Sequence, residues 1–143
     1  MSRLKMRVRF DFMARGKANR FFGGKTEEEQ AEELRQHKVS LIRNVPLQGI
    51  VIDEIDMSHE IYSIYDDISG KSLAFAPVSI SLTAASMEDA IKFTMKEEFR
   101  TVEILEPEDI KLSKTEIERL MYRMCEELLE YKEYLEKKVN NWK

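Results

Sequence analysis

Between Leu4 and Phe12 the chain alternates without exception. Leu4, Met6, Val8, Phe10 and Phe12 take one side, and Lys5, Arg7, Arg9 and Asp11 take the other. A period of 2 is what an extended strand requires when one face is buried and the other is wet, and it does not fit the 3.6-residue period of a helix. The chain must therefore build a sheet with one apolar side, and the outer side of its first strand is mostly cationic. The positive charge continues beyond the strand. Residues 1–25 hold eight Lys/Arg against Asp11 alone, whereas the remainder holds fifteen Lys/Arg against twenty-six Asp/Glu, so a segment of +7 is joined to one of −11. Such polarity implies either a cationic surface aimed at an anionic partner, or two regions that neutralise one another on folding.

With 143 residues, 43% of them hydrophobic and 35% charged, the chain predicts one domain over 1–143 with a real core and a very polar exterior. No run approaches the roughly 18 apolar residues needed to span a bilayer, so no membrane partner is expected. The N-terminus lacks the continuous apolar segment of a secretory signal. Cys125 is the single cysteine, which excludes an internal disulfide and fits a cytoplasmic setting. No motif asks for a cofactor.

After the first strand, Ala14–Lys25 forms a basic connection with Phe21-Phe22-Gly23-Gly24 at its turn. Thr26 and Glu29 have capping-box spacing, but only Ala31 and Leu34 are apolar up to Lys38, which predicts a short exposed helix or a mobile loop. Apolar β-type runs follow at Val39–Ile42 and Leu47–Met57, then at Glu60–Asp66. Ser69-Gly70-Lys71 turns the chain into a strand over Leu73–Thr83, where Pro77 implies an edge or a bulge. Ser86 opens a helix over 86–99 with the stripe Met87, Ala90, Ile91, Thr94 and Met95; on that reading Phe93 points away from the stripe, beside Lys96 and Arg100. A strand at Thr101–Leu105 ends before Pro107, and a second capping box, Ser113 with Glu116, opens the last helix. The expected fold is α+β: a mostly antiparallel sheet of five or six strands, a ferredoxin-like βαβ half, and helices 86–99 and 114–140 covering one face.

In that last element, which with its tail runs over 114–143, Met121, Met124, Leu128, Tyr131 and Leu135 follow a 3–4–3–4 spacing. Ile117 precedes the series, Trp142 follows it and Lys138 interrupts it. Leu120, Cys125 and Leu129 widen the stripe in the first half, which predicts packing on the sheet with Cys125 buried. A helix from Thr115 to Asn140 spans roughly 39 Å at 1.5 Å per residue, more than the domain's own sheet can cover. Tyr131, Leu135 and Trp142, with Phe93, are therefore the expected self-association residues of a homodimer.

Two constellations could carry chemistry. Lys5, Arg7 and Arg9 on the strand, with Arg15, Lys17, Arg20 and Lys25 in the connection, would form a cationic row, and Phe21 and Phe22 would offer stacking surfaces for a polyanion or nucleic acid. The competing reading pairs Arg7 and Arg9 with Glu54 and Asp56 across the sheet. Glu54, Asp56 and His59 are candidate ligands for a metal, which needs several donors converging on one point. Cys125 is flanked by Glu126 and Glu127, which oppose thiolate formation, and His37 lacks an identifiable partner.

Residues 78–110 read strand, helix, strand, then Glu-Pro before a helix. With Val102-Glu103-Ile104-Leu105-Glu106-Pro107 and a later tyrosine at Tyr122 or Tyr131, this stretch resembles the C-terminal extension of WYL-type transcription regulators. The resemblance covers about a quarter of the chain and implies a small ferredoxin-like half; no helix-turn-helix or WYL core accompanies it. The function expected is a non-enzymatic interaction or regulatory module that self-associates and presents a basic N-terminal surface to an anionic partner. A small-molecule-sensing regulatory domain is the alternative, and an enzyme of unknown type comes third.

Overall fold

The alternating run becomes β1 (Leu4–Ala14), and its partner is the fourteen-residue β4 (Lys71–Ala84). They pair antiparallel with Leu4 opposite Ala84, Val8 opposite Ile80 and Phe10 opposite Val78, so the inward residues of both strands meet in one layer. Those residues are the core: Leu4, Met6, Val8, Phe10, Val78, Ile80 and Leu82 are buried. The computed structural model describes residues 3–14 and 26–141. Among these, β2 (Ile50–Asp56) and β3 (Tyr62–Asp66) both pair with β4, and β5 (Phe99–Glu106) pairs with the other edge of β1. The result is a five-stranded antiparallel sheet in the order β2–β4–β1–β5, with β3 sharing an edge of β4 with β2. The fold is α+β, with three helices that include a long C-terminal one.

Pro77 sits where that shared edge changes hands: β3 pairs with β4 up to Phe75, and β2 from Ser79 onward. A proline has no ladder donor to give, and the break between two short strands is where none is needed. Its carbonyl is used instead, accepting from Arg35 Nη1 at 3.2 Å.

Arg35 belongs to α1 (Glu27–Asn44), which corrects two expectations. The segment to Lys38 is neither short and exposed nor a loop, and Val39–Ile42 is not a strand. Eighteen residues form one helix, capped by Thr26, that buries Ala31, Arg35 and Val39 and packs Leu34 and Ile42 against the sheet. The stripe is complete only when Arg35 counts as a core residue; its aliphatic stem packs and its head finds acceptors. Near its first turns the helix approaches the sheet through Ala31, Ala14, Ala74 and Ala76, whose small side chains allow close contact.

α2 (Met87–Thr94), capped by Ser86, lies on the same face and ends earlier than expected. Its start abuts the turn into β2, where Gly49 has φ +75 and leaves no room for a Cβ beside the Asp89 carboxylate. Ala90 and Phe93 are its buried residues, and Met95, past the last turn, is 44% exposed. The expected exposure of Phe93 is thus overturned. Over two turns the stripe is poorly defined, and the largest side chain turns inward to meet Phe10 edge-on at 5.6 Å between ring centroids.

α3 (Lys114–Asn140) opens with a true capping box between Ser113 and Glu116, and none of its residues is buried. The expectation that its first half packs on the sheet, with Cys125 inside, does not hold. α1 and α2 already fill that face, Cys125 is exposed, and α3 meets the body at α2, where Arg123 Nε donates to Glu88 at 3.0 Å.

Removing the Phe93 ring leaves a cavity beside Phe10. Phe93→Ala should cost about 3–5 kcal/mol in denaturant unfolding, the range for a buried aromatic; a loss under about 1 kcal/mol would place Phe93 outside the core.

Candidate functional site

The outer residues of β1 lie on the face of the sheet opposite the helices, and the register sets their neighbours. Arg7 is opposite Ser81 of β4, which is itself opposite Glu54; Arg9 is opposite Ser79, which is opposite Asp56. A strand therefore stands between the arginines and the acids expected to pair with them. Two strand spacings, about 9.6 Å, separate the backbones, and although the Arg7 charge is felt at Asp56, no ion pair joins Arg7 or Arg9 to Glu54 or Asp56 among the described residues. The partners of Arg7 and Arg9 are others. Arg7 Nη1 is 3.4 Å from Glu103 on β5, an exposed pair, while Arg9 Nε donates to Asp11 Oδ1 at 2.8 Å. Across the sheet the outer face runs in columns: acidic on β2 (Asp53, Glu54, Asp56), hydroxyl on β4 (Ser79, Ser81, Thr83), and basic on β1 (Lys5, Arg7, Arg9). Thr83 Oγ1 donates to Asp53 at 2.8 Å, joining two of the columns. Lys5 alone of the three cations makes no ion pair among the described residues. Arg15, Lys17, Arg20, Phe21, Phe22 and Lys25 lie outside the described residues, as does Trp142.

At the far end of β1 the charge turns inward. Asp11 is 2% exposed and accepts from Arg9 Nε and Nη2 at 2.8 and 3.3 Å and from the Tyr62 hydroxyl at 2.5 Å. Arg100 Nε stands 3.8 Å away and its guanidinium lies over the Phe75 ring, on which Tyr62 also stacks. Burial by itself would raise the Asp11 pKa, but the hydrogen bonds from Arg9 and Tyr62 and the two arginine charges reverse this and hold it below the usual carboxylate value. The Tyr62 hydroxyl is pushed up, first by burial and then by donating to the carboxylate. No buried side-chain polar atom here lacks a hydrogen-bond partner among the described residues, and the cluster acts as a structural clamp between β1, β3 and β5.

His59 follows β2 and stands over the hydroxyl column, with Nε2 3.2 Å from Ser79 Oγ and 3.8 Å from Asp56 Oδ2. A serine, an imidazole and a carboxylate are thus together, but both oxygens approach the same ring nitrogen. The relay that activates a serine needs the carboxylate on the other nitrogen, so this is not a nucleophilic triad. Asp56 is held by Ser58, whose hydrogen bonds keep its pKa low. The metal reading of Glu54, Asp56 and His59 is not met: Glu54 lies a row away opposite Ser81, and no three His, Cys, Asp or Glu side chains group as metal ligands among the described residues.

Two further positions escaped the sequence. Lys96 places its ammonium 4.8 Å from the Phe93 ring centre and 5.3 Å from that of Phe10, and burial lowers its pKa. The other is the exposure of the first half of the α3 seam, which was expected to pack on the sheet. Met121 and Leu128 are 63% and 69% exposed, and Ile117, Met124, Tyr131 and Leu135 are also open. No described helix is long and apolar enough to cross a membrane. No protein-family model, curated protein or solved structure matches the chain.

Because Asp11 is stabilised in its charged form, its contribution is present above the unfolded carboxyl pKa of about 3.9 and is lost as pH falls through its lower folded value. Asp11→Asn should cost about 1–3 kcal/mol at pH 7, the scale of hydrogen bonds to charged groups. The gap to the wild type should narrow in acid, as followed by urea unfolding at several pH values. Equal stability at pH 7 would refute the clamp.

Proposed function

We propose that this protein is a non-enzymatic interaction module that self-associates through α3. The observation that carries the reading is the 27-residue helix itself, none of whose residues is buried although an apolar seam from Ile117 to Leu135 runs along it. A chain that builds such a seam and leaves it in water has a surface for another helix. The body is read as ferredoxin-like, supported by the order β2–β4–β1–β5 with α1 and α2 on one face.

The same module would offer the outer sheet face to an anionic partner. Among the described residues Lys5 is unpaired, and Arg7 is held only by an exposed pair of the kind worth about 0.2–1 kcal/mol, which an incoming anion could replace. Arg9 is committed to Asp11, so the surface is narrower than eight cations in a row would make it. The expected signature is weak, salt-sensitive retention on heparin that falls on Lys5→Gln with Arg7→Gln.

Self-association has a direct test. Light scattering at micromolar concentrations should give a dimer mass, and Leu128→Glu with Tyr131→Glu should give a monomer with an unchanged melting temperature for the body, because neither side chain is buried within the chain. A wild type that is monomeric across the range would overturn the reading.

A further inference from the structure

The α3 seam has a direction and a register. Ile117, Met121, Met124, Leu128, Tyr131 and Leu135 are spaced 4–3–4–3–4, a two-helix seam about 27 Å long, and the next position in the series is Lys138. Leu120, Arg123 and Glu127, which are partly buried, mark the side turned towards α2. At about 100° per residue the seam lies roughly a quarter-turn round the helix from that side, and Glu118, Cys125 and Lys132 lie roughly half a turn from it, on the open flank of the seam. All three are exposed.

We propose that α3 pairs antiparallel with α3 of a second copy, about a two-fold axis near Glu126; this rests on the self-association reading above and adds its geometry. In this register Ile117 faces the partner's Leu135, Met121 the partner's Tyr131 and Met124 the partner's Leu128. The two-fold repeats each contact, giving six apolar layers with Lys138 beyond them. Sliding by one heptad in one direction leaves four layers; in the other it drives Lys138 against Met121. Charge favours the same arrangement. Residues 114–130 carry three Lys/Arg against five Glu, net −2, and residues 131–140 carry three Lys against two Glu, net +1. Antiparallel pairing lays the negative half on the positive half and opposes the helix dipoles, whereas parallel pairing lays like on like and Lys138 on its own copy. On the open flank, Glu118 comes beside the partner's Lys132, twice by symmetry, and Cys125 comes beside the partner's Cys125 near the axis. In a parallel pair the two Cys125 would lie on opposite flanks and Glu118 would have no Lys132 within reach.

Because Cys125 is the only cysteine, a short bismaleimide can join two chains only at this position. The full chain is first sized by light scattering and then treated with the reagent. The expected result is a dimer that is converted in high yield to a covalent dimer on a denaturing gel. Glu118→Lys should raise the dimer dissociation constant on the order of tenfold, and Glu118→Lys with Lys132→Glu should restore it. A monomeric mass would overturn self-association and this geometry together. A dimer that resists cross-linking and is indifferent to Glu118→Lys would leave self-association standing and overturn the antiparallel pairing.

Discussion

The arrangement of the body depends on one buried guanidinium. Arg35 is 6% exposed, projects from the middle of α1, and donates through Nη1 to the carbonyls of His59 and Pro77 at 2.9 and 3.2 Å. Glu32, one turn earlier on the same helix, accepts from its Nε at 2.7 Å and neutralises it. These carbonyls belong to the place where β4 exchanges β3 for β2, so no strand supplies their donors. Without a donor they would be orphaned next to the core, at a cost of about 1–3 kcal/mol each. Arg35 therefore fixes the helix to the sheet and allows the sheet to have a break. His59 is a consequence of the same contact: its backbone is anchored by Arg35, and its ring reaches Ser79.

How much of the fold was legible in the sequence depended on how local each deciding constraint is, and Arg35 marks one place where it is not local. β1 and the second half of β4 were readable because strict alternation has a single structural solution when one face is buried. α3 was readable from Ser113, Glu116 and its 3–4 spacing. The length and packing of α1 were missed because its stripe runs Ala31, Leu34, Arg35, Val39 and Ile42, and a pattern that treats arginine as polar breaks it in the middle, handing the β-branched end to a strand. Its start was legible, since Thr26 and Glu29 have the spacing of a cap and Thr26 does cap the helix. Phe93 was misplaced for a related reason: helical angles constrain little over eight residues, and its inward turn is decided by Phe10, which is over eighty positions away in sequence.

The ion pairs show a different limit. Facing acids and bases can be proposed from composition, but their partners follow from strand order. Glu54 and Asp56 were paired in expectation with Arg7 and Arg9 as though β1 and β2 were neighbours; the chain instead places β4 between them, and the hydroxyls of Ser79 and Ser81 take the intervening positions. The N-terminal cations then divide by depth. Arg9 turns to its own strand neighbour Asp11 in a part-buried cluster, Arg7 meets an exposed glutamate, and Lys5 stays free among the described residues. The same sign of charge serves as clamp at one end of the strand and as open surface at the other.

α3 brings local and global demands into conflict. Its ends are well made: the capping box satisfies the first turn, and Lys137 and Lys138 complement the dipole at the last. Its middle is not, since Glu126, Glu127 and Glu130 crowd one stretch, with Arg123 drawn to Glu88 and Glu126 as the nearby positive charge. Tertiary packing is what stabilises most helices in proteins, and α3 receives little of it from the described residues of its own chain. In the proposed pairing the seam would supply the missing term, because burial of six apolar layers would reward the full length at once. Order in the distal half and association would then be a single cooperative step, and the length that carries α3 beyond its own body is the length that the proposed second copy would use.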